Sequence, residues 1–171
     1  MAFTLGAGVG IAFPRKSPDD EAKLLSRLAR EQNSIKKAKL ETRLGRLKLV
    51  QAFSAYDQGH FDQCWKLFDD YLARMNNAWA ELVASGHEAA KKPDGFKQLD
   101  IALRESRRDL EDFETHITFD ERQAAEKIHT LTVELQNRVV NALFPGEPAG
   151  KKKGSLAGSE PPDSEQGKGP K

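Results

Sequence analysis

From Leu24 onward, apolar side chains recur at three- and four-residue steps in long runs, the signature of amphipathic helices. Ser17-Pro18-Asp19-Asp20 predicts the first start, with Ser17 as cap, Pro18 at the first helical position and two acids at the positive dipole end. The stripe Leu24, Leu25, Leu28, Ile35 weakens around Asn33-Ser34. That break separates a short helix ending near residue 32 from a longer one running from about 34 to Gln58. Gly59 then supplies the positive φ of a helix–turn–helix joint within Tyr56–Cys64. Phe61, Cys64, Trp65, Phe68, Tyr71 and Leu72, continued by Met75, Trp79, Leu82 and Val83, make the third run the most apolar. It is expected to continue through Gly86 to Lys92, where Pro93 disfavours helix.

Pro93-Asp94-Gly95 reads as a turn, followed by a fourth helix with Phe96, Leu99, Leu103, Leu110 and Phe113 on one face. Thr118 or Asp120 opens a fifth, carrying Ala124, Ile128, Leu131, Leu135, Val139 and Leu143 and stopping before Pro145-Gly146. Alternating β-type runs are missing from the sequence. The fold expected is all-α: an antiparallel up-down bundle of four long helices with a short N-terminal helix beside it.

The bundle occupies residues 17–144, and the two ends read differently. Residues 145–171 are Gly, Pro, Ser, Lys and acids, a composition expected to be disordered because it offers too little apolar surface to offset ordering. The Lys151-Lys152-Lys153 run within it reads as solubilising. Residues 1–16 begin with an uncharged apolar stretch, Ala2 to Phe13, too short to span a bilayer. Gly10-Ile11-Ala12 satisfies the small-x-small pattern of signal cleavage, yet no basic residue precedes Arg15. Either this is the remnant of a secretory signal, placing the protein outside the cytoplasm or in the cell envelope, or it is a Gly-rich leader on a cytoplasmic protein.

The composition has 38% hydrophobic and 31% charged residues over 171 positions, which suits a bundle whose every helix has a wet face. A net charge of +1 provides no global field toward nucleic acid or acidic membrane. The charge is instead segregated. Between Lys23 and Lys48 every charge except Glu31 and Glu41 is basic, whereas Asp57, Asp62, Asp69 and Asp70 are opposed only by Lys66. In one reading the basic helices lie against acidic faces of the third and fourth. In the other, Lys36, Lys37, Lys39, Arg43 and Arg46 contact an acidic partner or lipid head groups. No aromatic interleaves the basic stretch up to Lys48, which disfavours nucleic acid.

Gly59-x-Phe61-x-x-Cys64-x-x-x-Phe68, with Ala52 in the preceding helix, resembles the middle of a tetratricopeptide repeat over about residues 45–76. Ala52 and Cys64 take its small positions; its usual Trp, Leu and Tyr fall on Lys48, Gln51 and Ala55, its closing Pro falls on Asn76, and no second copy follows. The resemblance implies a helical hairpin used for protein binding. Independently, the aromatic surplus of the third helix makes Trp65, Tyr71 and Trp79 the candidate partner contacts, with core filling as their alternative use.

Signals for chemistry are sparse. Glu126-x-x-His129 has the spacing of half a di-iron site, but no second Glu-x-x-His completes it, and His129 reads as a boundary histidine. Cys64, the single cysteine, sits on the apolar stripe rather than beside an activating base. The expectation is a non-enzymatic interaction or structural module without cofactor or metal, binding a protein. A basic amphipathic membrane-surface module is the first alternative, and a helical-bundle metalloenzyme the more distant one.

Overall fold

The computed structural model describes residues 18–146, and the helices are α1 (Pro18–Arg30), α2 (Ser34–Asp57), α3 (Phe61–Ala84), α4 (Phe96–Glu114) and α5 (Phe119–Leu143). The Ser17 cap, the leader and the tail beyond Gly146 lie outside the described residues.

Local chemistry sets each boundary. The Glu31 carboxylate accepts the N–H groups of Gln32 and Asn33 at 3.1 and 3.0 Å, closing α1 about two residues before its expected end. Asn33 then caps α2 by accepting the Lys36 N–H at 3.0 Å. Between α2 and α3 the chain needs only Gln58, Gly59 and His60, because Gly59 adopts φ +76°. The third helix is shorter than its sequence suggests, ending at Ala84 instead of Lys92. There Ser85 Oγ donates to the Leu82 carbonyl at 2.6 Å and Gly86 takes φ +67°, so helix-permissive residues beyond it form a connector. At α4 the Gly95 N–H is met by Gln98 Oε1 at 2.5 Å. At α5 the Thr118 hydroxyl donates to Glu121 at 2.8 Å.

Contacts between helices give their directions. Lys37 meets Glu81, Gly45 faces Met75, Phe53 faces Phe68 and Tyr56 faces Phe61, so α2 and α3 run antiparallel along their whole length. Arg46 reaches Ser106 and Phe53 reaches Phe113, which sets α4 parallel to α2. Arg107 with Gln136, and Glu114 with His129, return α5 antiparallel to α4. The result is the up-down bundle of four long helices, with α1 folded back along α2 through Glu21, Lys48 and Gln51.

α2 packs against α1, α3 and α4, and its seam with α3 is the most extensive between any two helices. Leu44, Leu47, Leu49 and Ala52 are therefore all buried, although they do not share one face. In the core Phe53, Phe68 and Phe113 form a triangle of rings, with centroids 5.2 to 5.7 Å apart. Burying one such ring contributes about 2–3 kcal/mol, and edge or tilted ring pairs about 1 kcal/mol more. In α5 the buried small residue is Ala125 rather than Ala124, and Leu131 is partly in solvent.

A candidate partner-binding groove

The three aromatic candidates of α3 are held by the core and do not converge. Tyr71 is wholly buried and its hydroxyl lies 3.2 Å from Thr132 Oγ1 of α5, so it is a core residue and not a surface contact. Trp65 is half-buried and tilted against Phe68 at 5.6 Å. Trp79 is also half-buried, packing edge-on to Phe96 at 6.1 Å. Fourteen residues separate the tryptophans, about 21 Å along a helix, too far for one small contact patch.

The basic candidates divide by the face they occupy. Lys37 turns to α3, 3.7 Å from Glu81, and Lys36 is exposed near the start of α2. Lys39, Arg43 and Arg46, spaced by four and three residues, fall on one side of α2. With α1 and α4 they enclose a groove of about 1020 Å³. α1 contributes Asp20, Lys23, Leu24 and Arg27; α2 adds Thr42, Leu47 and Val50 to its three cations; α4 supplies Gln98, Ile101, Ala102 and Glu105. Leu24, Leu47, Val50 and Ala102 make an apolar floor, and Ile101 stands at its side 54% exposed.

Two of the groove cations are already engaged. Lys39 binds Asp94 at 2.8 Å, and this bond holds the Asp94 carboxyl below its ordinary value. Arg46 donates to Ser106 at 3.0 Å and to Asp109 at 2.8 Å, with Glu105 3.8 Å away. These contacts pair basic α2 residues with α4 and with the turn before it, while Lys48 pairs with Glu21 of α1 at 2.7 Å. Among the described residues, Lys23, Arg27 and Arg43 have no carboxylate within ion-pair distance. The groove therefore offers Lys23, Arg27 and Arg43 without a direct ion pair around an apolar floor, with Arg27 feeling the charge of Glu31 one turn on and Asp20 and Glu105 in the same lining. That pairing of α1 with α4 across α2 has no local signature in the sequence; only the basic side of α2 was visible there.

The chemical candidates also find their places. Burial raises the Cys64 thiol to about 12, with Glu121 and Asp57 adding to the effect, so it is a poor nucleophile. His129 does not meet Glu126, which is exposed. Instead it lies 3.2 Å from Glu114 and 3.6 Å from Glu111, both of α4. The His129–Glu114 approach lacks hydrogen-bond alignment, and Arg107 reaches Glu111 at 3.3 Å in the same seam. Among the described residues no three His, Cys, Asp or Glu side chains are grouped to hold a metal ion, and no helix is long and apolar enough to cross a membrane. Comparison with protein-family models, with curated proteins and with solved structures gives no match to this chain.

Proposed function

We propose that the chain is a non-enzymatic helical module that binds a protein partner in the groove between α1, α2 and α4. The observation that carries this reading is the combination in that groove of an apolar floor with Lys23, Arg27 and Arg43, cations left without ion pairs. Apolar area drives association, and unpaired charge around it selects and orients the partner. The resemblance of residues 45–76 to a tetratricopeptide repeat is in keeping with protein binding.

The test is capture from host extract with the tagged full chain and with Ile101→Asp, which puts a charge beside the floor at a half-exposed site. A protein recovered by the parent chain and lost with Ile101→Asp supports the groove as the binding site. Equal recovery by both, or recovery of none, overturns it.

A further inference from the structure

The basic wall of α2 from Lys39 to Val50 is about three helical turns long, roughly 16 Å at 1.5 Å per residue. Its floor is aliphatic and no aromatic residue lines it, so it lacks the ledges that grip proline-rich peptides. Every described element is a helix, which leaves no sheet edge for an added strand. Of the modes that need apolar contact, a helix laid in a groove is the one the aliphatic floor suits, read through apolar anchors at i, i+3/i+4 and i+7. The cations without ion pairs stand on α1, as Lys23 and Arg27, and on α2, as Arg43, while α4 brings Gln98, Ile101 and Glu105. An occupant meets positive charge from α1 and α2, with Asp20 and Glu105 as the acids of the same lining.

We propose that the groove takes an acidic amphipathic helix of about three turns, its apolar stripe on Leu24, Val50 and Ile101 and its carboxylates facing Lys23, Arg27 and Arg43. The inference rests on the protein-binding reading above and names the partner's chemistry. A membrane is the weaker fit to the same charges. Leu47 is buried and Leu24 and Val50 are half-buried at the bottom of a concavity, where a flat bilayer surface cannot reach them.

The test uses three fluorescent peptides of about 14 residues with one leucine stripe at helical spacing, flanked by Glu, by Gln or by Lys. Anisotropy is read with the full chain, with Lys23→Glu/Arg43→Glu, and with Lys66→Glu on α3 as an off-groove control; Lys23, Arg43 and Lys66 are all exposed, and retained helical circular dichroism verifies each fold. The expected result is binding of the Glu peptide, weakened about tenfold or more by the double reversal and by raised salt, and unchanged in Lys66→Glu. Equal binding of the Glu and Gln peptides, lost in Ile101→Asp, overturns the acidic preference and leaves the protein-binding groove standing. No peptide binding, with phosphatidylserine vesicles bound by the parent chain and not by the double reversal, overturns both. Binding of neither probe overturns the inference, and the capture experiment then decides the broader reading by itself.

Discussion

Tyr56 and Tyr71 show how one residue ties helices remote in sequence. Tyr56 donates to Glu121 at 2.7 Å, joining the end of α2 to the start of α5, and burial followed by the Glu121 bond pushes its hydroxyl up to about 12. Burial also raises Tyr71. A raised value means that the folded protein prefers the neutral phenol. The stability this preference provides is complete below the ordinary value of 10.0 and is lost as pH rises through the folded value. An absorbance titration of the native protein should therefore show no tyrosinate step near pH 10, with ionisation appearing on the way to pH 12 or together with unfolding. A full two-tyrosine step at pH 10 in a still-helical protein would contradict this burial. The aromatic stripe of α3 was legible as apolar, but not which aromatic faces inward. That depends on Thr132, 61 residues away, meeting the Tyr71 hydroxyl. His129 is a similar case: its spacing to Glu126 is local and visible, whereas its contacts with Glu111 and Glu114 exist only once α4 and α5 align.

At the scale of elements, two turns contrast in what surrounds their glycines. Gly59 and Gly95 both hold positive φ, +76° and +84°. A β-carbon on Gly59 would meet nothing within 4 Å, but one on Gly95 would stand 2.6 Å from Leu82 Cδ2 and 3.3 Å from Ile35 Cγ2. Gly59→Ala is expected to cost about 1 kcal/mol from backbone conformation alone. Gly95→Ala adds overpacking and should cost about 3 kcal/mol in total. Denaturant midpoints at constant slope would show the difference; equal losses would mean that Leu82 repacks freely. Both turns were readable from Tyr56-Asp57-Gln58-Gly59 and Pro93-Asp94-Gly95. The end of α3 was not, since Glu88-Ala89-Ala90 is compatible with helix and a lone Gly86 is tolerated in one. The serine bond to the Leu82 carbonyl and the positive φ at Gly86 decide it.

Carboxylates tie the helices of the molecule together at three junctions. Burial raises Glu21, but bonds from Lys48 and Gln51 outweigh it and leave the carboxyl below the ordinary 4.5, securing α1 to α2. The Lys39 bond lowers Asp94 beside α4, and the Tyr56 bond lowers Glu121 at α5. Each lowered value means that the unfolded chain takes up the proton first. The associated stability is present above the unfolded values near 4 and is lost as pH falls through the folded ones. Thermal midpoints should be level from about pH 7 to 5 and fall below about pH 4; a midpoint that rises on acidification would remove these three ties from the account. Charge segregation was plain in the sequence and led to the basic side of α2, yet it did not separate Lys37, spent on Glu81, from Arg43, which faces the groove. That sorting required α1 and α4 to pack against α2.

The three-residue connection between α2 and α3 has a consequence for how the chain reaches this state. The most extensive helix–helix seam joins neighbours in sequence, so little loop-closure entropy is lost before Phe53 meets Phe68 and Tyr56 meets Phe61. Such a hairpin is suited to nucleate folding, giving α4 and α5 a surface on which to condense. α1, which touches α2 alone, adds nothing to that nucleus and is free to arrive last.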